Sequence, residues 1–164
     1  MLRIPARVDY AIRALAELAR AGASTEKPLK GDVIARNQQV SLGFVETTLN
    51  TMRRAGLVDS RRGNEGGYWL TRPPEDITLA EVLRALEGRI LDYAVIPGAA
   101  TDDATVHATR RMWQAADVVL SQFLDVLTVA DLAEGDVRLP DDDDDGSDDA
   151  EDGPGDRYRR AAGS

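Results

Sequence analysis

From Arg53 to Pro74 the chain reads Arg-Arg-Ala-Gly-Leu-Val-Asp-Ser-Arg-Arg-Gly-Asn-Glu-Gly-Gly-Tyr-Trp-Leu-Thr-Arg-Pro-Pro. Two arginine pairs, Arg53–Arg54 and Arg61–Arg62, precede and open a glycine-rich stretch. A guanidinium is a permanent cation with a planar fork of donors, which suits phosphate oxygens and the acceptor edge of guanine. Glycines allow positive φ and let the backbone come close to a surface. Just upstream, Ser41, Gly43, Phe44, Glu46, Thr47 and Asn50 bring hydroxyls, a carboxylate and an amide. A carboxylate can accept from a cytosine amine, and Thr or Asn can read a base edge or hold a phosphate. The chemistry suggested is recognition of a polyanion with a base-reading component. The expected contact residues are Ser41, Gly43, Phe44, Glu46, Thr47, Asn50, Arg53, Arg54, Arg61, Arg62, Gly63, Asn64, Gly66, Gly67 and Tyr68.

Such residues need elements to hold them. Val8, Ile12, Leu15 and Ala19 recur at helical spacing over 6–21, and Gly22 stops that helix. Residues 23–30 read as a polar loop. A short helix comes next over 31–37, with Val33, Ile34 and Ala35 as its buried residues. Ser41 is placed to N-cap a helix over 42–55, in which Val45, Leu49 and Met52 face the core. Glu46, Thr47, Asn50, Arg53 and Arg54 then fall on other faces. Residues 57–60 and 68–71 are short strands joined by the turn Gly63–Gly67. A hairpin this small needs support from the helices. Thr78-Leu-Ala-Glu81 is a capping box that starts a helix to Leu86. The expected fold is mainly α, a helix-turn-helix with a β-hairpin wing over 1–88.

Residues 89–103 form a connecting loop around Pro97-Gly98. From Ala104 to Leu127 runs the longest helical pattern, within a region 104–139. Met112, Trp113, Ala116, Val119, Leu120, Phe123 and Leu127 form its apolar stripe, which suits a seam between two copies. Thr128–Asp131 caps one more turn. Beyond Pro140 apolar residues almost vanish and Asp141–Asp145 are consecutive, so 140–164 is expected to be a disordered acidic tail.

The net charge of −9 opposes nucleic-acid binding only if taken whole. Residues 1–75 carry 12 basic and 8 acidic side chains. Residues 76–140 carry 5 and 11, and residues 141–164 carry 3 and 10. The segment with the hairpin is the basic one. The absence of cysteine excludes disulfides, thiolate metal sites and a cysteine nucleophile. His107 is the only histidine and has too few companions for a metal site. No nucleotide-binding glycine loop, serine elbow or histidine–carboxylate cluster supports an enzyme. The N-terminus lacks a signal-peptide core and no apolar run suits a membrane, so a soluble cytoplasmic protein is expected.

Val8-Asp-Tyr-Ala11, Arg53-Arg-Ala-Gly-Leu-Val58, Arg62-Gly-Asn-Glu-Gly-Gly-Tyr68 and Thr71-Arg-Pro-Pro-Glu-Asp-Ile-Thr-Leu-Ala-Glu-Val82 carry a resemblance. In this order they are similar to the IscR/NsrR/CymR family of bacterial repressors, the Rrf-two type. The resemblance covers about the first 90 residues, with the next 40 fitting as a dimerisation helix. It implies a homodimeric winged-helix transcription factor on a palindromic operator. Base-reading positions carried over from the family fall on Gly43, Glu46 and Arg62. Gly43 stands where a serine is usual in cluster-binding members. Asn64 and Glu65 interrupt the usual wing glycines, and Glu65 places a negative charge near phosphate.

Many family members hold an iron–sulfur cluster through three cysteines in the loop matching 89–104. Asp9 matches a carboxylate ligand in some of them. With no cysteine in this chain, no cofactor is expected. An effector protein, a small molecule near Tyr93 and Trp113, or control by abundance alone remain open as the switch. The acidic tail either aids solubility or competes with phosphate for Arg53, Arg54, Arg61 and Arg62. The alternative to a DNA-binding regulator is a winged-helix protein-interaction module, because basic residues at a helix C-terminus also stabilise its dipole.

Overall fold

The computed structural model describes residues 5–88, 104–135 and 137. In order these form α1 (Ala6–Arg20), α2 (Gly31–Gln38), α3 (Leu42–Arg54), β1 (Val58–Arg61), β2 (Gly67–Leu70), a 3-10 turn (Pro74–Asp76), α4 (Leu79–Glu87), α5 (Ala104–Val126) and α6 (Val129–Glu134). The expected connecting loop 89–103 and the acidic tail lie outside the described residues.

α1 forms because apolar residues recur every three or four positions. Val8, Ala11, Leu15 and Leu18 are buried, and Ile12 and Ala19 pack beside them half-buried. α2 buries Ile34 and Ala35. Val33, expected in the core, is only half-buried, because a helix this short turns one narrow face inward. Gln39, in the left-handed conformation at φ 57°, ends α2 and starts the turn into α3. α3 starts at Ser41, whose Oγ accepts from the Phe44 N–H at 3.2 Å. That bond satisfies one of the N–H groups a helix start leaves orphaned. Leu15, Leu18, Ile34, Leu49, Met52, Val58, Ile77, Val82 and Val129 form one fully buried core that unites α1–α4, the hairpin and α6.

The two strands are antiparallel, with Val58 opposite Leu70 and Arg61 opposite Gly67. A third segment supports them. Leu29 pairs with Tyr68, the Leu29 N–H donating to the Tyr68 carbonyl at 3.0 Å and the Tyr68 N–H to the Leu29 carbonyl at 2.8 Å. The stretch 23–30 therefore does more than connect: its end stitches the hairpin to the start of α2. Gly67 is required there, since a Cβ would lie 2.5 Å from the Leu29 carbonyl oxygen.

α5 has no buried residue. It packs against α4, and Arg84 of α4 grips Asp125 with two hydrogen bonds of 3.2 Å. The expected stripe divides. Ala116, Leu120 and Phe123 are half-buried, while Met112, Trp113 and Val119 are exposed. Leu127 does not belong to an outer seam. It lies past the end of α5 with 8% of its surface exposed, in the turn that docks α6 on the head.

Candidate nucleic-acid interface

The register of α3 separates an inner and an outer face. Val45, Thr48, Leu49 and Met52 are buried, which turns Gly43, Glu46, Thr47, Arg53 and Arg54 to the surface and leaves Asn50 half-exposed. At about 1.5 Å per residue the 13-residue helix is about 20 Å long, and an α-helix of ordinary diameter fits a DNA major groove.

Beside it the hairpin projects its turn. The Gly66 N–H donates to the Gly63 carbonyl at 2.9 Å, which places Asn64 and Glu65 at the tip. Gly63 has φ 107°. A Cβ on Gly66 would lie 2.1 Å from the Arg61 carbonyl oxygen, so the turn closes only on glycine. Arg61 Nη2 donates to the Glu65 carbonyl at 3.1 Å, bracing the tip from below. The arginine thus meets the backbone of Glu65 rather than its carboxylate.

Helix and hairpin enclose a groove of about 640 Å³. Glu46, Asn50, Arg53, Arg61, Arg62, Gly63, Asn64, Gly66, Gly67 and Tyr68 from the expected set line it. Leu42 at the start of α3 lines it too, as do Lys30, Gly31, Asp32 and Ser60, which were not expected. Only the Leu29–Tyr68 pairing explains Lys30 and Gly31, and a one-residue bridge leaves no periodicity to read. Gly31 is tight: a Cβ would stand 3.3 Å from both Leu42 and the Tyr68 ring.

The remaining expected residues lie outside this groove. Ser41 is the cap of α3. Phe44 is half-buried and meets Tyr10 edge-on, with ring centres 5.3 Å apart, so it anchors α3 to α1. Thr47 is exposed, but its hydroxyl donates to the Gly43 carbonyl at 2.8 Å. That leaves its methyl group and an oxygen lone pair for a ligand. Nothing stands within 4 Å of a Cβ on Gly43, so the site has room for a side chain.

Among the described residues Arg53, Arg54 and Arg62 have no ion-pair partner, whereas Arg7, Arg13, Arg36, Arg72 and Arg84 each have one. Of the described arginines without an ion pair, Arg53, Arg61 and Arg62 line the groove. Burial pushes the Tyr68 phenol above its ordinary pKa, Glu46 pushes it further, and Arg53 opposes both. The phenol therefore stays protonated at neutral pH and can donate a hydrogen bond into the groove.

Residues 4–135 match the Rrf2 family, described as iron-dependent transcriptional regulators. The chain belongs to the Rrf2 family. A Mycobacterium tuberculosis relative with a provisional HTH-type transcriptional regulator name is 34% identical over 135 residues, covering 82% of this chain and 83% of the relative. The structure of CymR, the global cysteine regulator of Bacillus subtilis, superposes with a TM-score of 0.66 at 32% identity, covering 82% of this chain and 98% of CymR. The structure of T. potens IscR gives 0.62 at 29% identity, covering 82% and 88%. The winged helix-turn-helix is thus the Rrf2 fold, and the chain is an HTH-type, DNA-binding transcriptional regulator of that family.

The iron in the family description has no matching donor set here. The sequence holds no cysteine. No group of three His, Cys, Asp or Glu side chains able to hold a metal is present among the described residues. Asp9 is engaged by Arg13 at 2.6 Å. Tyr93 and the loop around it lie outside the described residues. No helix among the described residues is long and apolar enough to cross a membrane.

Proposed function

We propose that this Rrf2 protein is a homodimeric repressor that binds a palindromic operator, placing α3 in the major groove and the wing on the flanking backbone. The supporting observation is the groove between α3 and the hairpin, where Glu46, Asn50, Arg53 and Arg62 converge from two elements. Glu46 and Asn50 offer an acceptor and an amide for base edges. Arg53 and Arg54 meet phosphates, and Arg62 reaches from the wing to a groove edge.

Dimerisation is supported by α5. Met112, Val119 and Val126 stand seven residues apart and are 54%, 62% and 72% exposed. A heptad line of apolar residues open to water is the seam of a coiled-coil pair. Met112, Trp113 and Val119 face the partner in this reading, with Ala116, Leu120 and Phe123 at its margin. A repressor of this kind acts without a cluster, and an effector protein, a small molecule or its own abundance sets its activity.

Footprinting on the region upstream of its own gene tests the reading. Two protected half-sites related by a dyad, about 34–36 Å apart or a multiple of that, are expected. A single unrepeated site overturns the dimer on a palindrome. No protection at any concentration assigns the fold to protein interaction instead.

A further inference from the structure

The groove between α3 and the wing carries positive charge that the described fold leaves unneutralised. Lys30, Arg53, Arg61 and Arg62 line it against Asp32 and Glu46. Asp32 is already engaged by Arg36 at 3.2 Å. Among the described residues no carboxylate stands within ion-pair distance of Lys30, Arg53 or Arg62.

α6 shares a cavity with Leu29, whose neighbour Lys30 lines that groove. Leu132 of α6 and Leu29 line one cavity of about 860 Å³ between α1 and α2. Arg20 fixes the end of α6 by donating from Nε to the Ala133 carbonyl at 3.3 Å. Leu29 is bonded to Tyr68, which lines the groove, as does the next residue, Lys30. The stretch from Gly135 to Asp141 reaches up to about 20 Å.

The sequence beyond that stretch is strongly acidic. Residues 141–164 carry 10 acidic and 3 basic side chains, beginning with Asp141–Asp145. The family match stops at residue 135, so this acidity is added to the matched region. Carboxylates meet guanidinium forks with the same paired hydrogen bonds that phosphates make.

We propose that the acidic segment beginning at Asp141 docks in cis into the groove between α3 and the wing and competes there with nucleic acid. The proposal rests on the DNA-binding reading of that groove. Nonspecific binding is almost wholly electrostatic, so the competitor weakens it most, while base contacts let the operator displace the segment. The segment thereby sharpens discrimination between operator and bulk DNA. A short tether gives an effective concentration of about 1 mM. A contact with a Kd of about 0.1–1 mM then lowers DNA affinity roughly two- to tenfold.

The test compares the full chain with a full-length variant carrying D141N, D142N, D143N, D144N, D145N, D148N and D149N. Anisotropy with a random-sequence duplex should show the variant binding roughly two- to tenfold tighter at low salt. The two should converge near 1 M salt, where the Debye length falls to about 3 Å. Equal affinities and salt slopes overturn the proposal. A second measurement needs no DNA. The side-chain NMR signals of Arg53 and Arg62 should differ between the two chains at low salt and coincide at high salt. Coincidence at low salt overturns docking, and differences that grow with protein concentration overturn docking in cis. If neither chain binds DNA, the regulator reading fails and the arginine signals still decide docking.

Discussion

Thr78 and Thr128 pair across an antiparallel bridge, and each is the N-cap of its own helix. The first N–H of α4, on Leu79, donates to the Leu127 carbonyl at 2.9 Å, and the first N–H of α6, on Val129, donates to the Ile77 carbonyl at 2.9 Å. Thr78 Oγ1 accepts from the Glu81 N–H at 3.2 Å, and Thr128 Oγ1 accepts from the Asp131 N–H at 3.3 Å. Glu81 and Asp131 reach back to the Thr78 and Thr128 N–H groups at 3.1 and 2.7 Å. Two helix starts satisfy one another's orphan donors, so the end of α5 is held rigidly to the winged-helix core.

Removing one of these caps has a measurable cost. Thr128→Ala should destabilise the protein by about 1 kcal/mol, as cap losses usually do, and Thr128→Ser should restore most of it. Urea denaturation measures both. An unchanged midpoint for Thr128→Ala would show that the backbone bridge alone holds the junction.

The wing depends on two glycines for different reasons. Gly66→Ala places a methyl 2.1 Å from the Arg61 carbonyl, and Gly67→Ala places one 2.5 Å from the Leu29 carbonyl at φ 157°. Each should destabilise by about 1–3 kcal/mol through backbone displacement. Gly67→Ala should also detach Leu29, seen as faster amide exchange at Leu29 and Tyr68. Retained protection at those amides would contradict the bridge.

Acid should loosen the junction of α1 with α4. Glu87 lies at the C-terminal end of α4 and Arg7 in the first turn of α1, each disfavoured by its own helix dipole. They compensate one another, Arg7 Nε and Nη2 each donating to Glu87 at 2.6 Å. The hydrogen bond from Arg7 holds the Glu87 carboxyl below its ordinary value of 4.5. Because the folded pKa lies below the unfolded one, the stabilisation is complete above the ordinary value and is lost as pH falls through the lowered one. Glu87→Gln should therefore lower Tm at neutral pH and lose less of it on acidification. Parallel Tm profiles for the two chains would contradict the pairing.

Breaking the proposed seam should separate the subunits without unfolding them. Val119 is 62% exposed, so Val119→Asp removes no core contact within the chain. Sedimentation should give a dimer for the unsubstituted chain and a monomer for Val119→Asp, with helical content kept. A monomeric unsubstituted chain would contradict the seam.

Much of this was legible in the sequence because it is local. The capping box at Thr78, the N-cap Ser41, the buried stripe of α3 and the glycine turn are each set by residues a few positions apart. The strands run over Val58–Arg61 and Gly67–Leu70, one residue nearer the turn than the pattern suggested. The Leu29–Tyr68 bridge was not legible, because one paired residue has no period. Lys30, brought to the groove by that bridge, was missed for the same reason. Phe44 and Arg61 were read as free surface chemistry, and their contacts with Tyr10 and the Glu65 carbonyl depend on tertiary placement. Leu127 fits the period of α5 but lies just beyond its end, and the turn into α6 carries it inward.

Binding of duplex DNA by the full chain and by Arg62→Ala tests the account most directly. Arg62 is exposed and makes no hydrogen bond or ion pair among the described residues, so its loss should leave stability unchanged. Fluorescence anisotropy with the operator found by footprinting should show Arg62→Ala binding about 10- to 100-fold more weakly, a loss of about 1–3 kcal/mol. The weakening should be larger on the operator than on random duplex. Equal operator affinity for the two chains, or no DNA binding by either, would contradict the reading of the α3–wing groove.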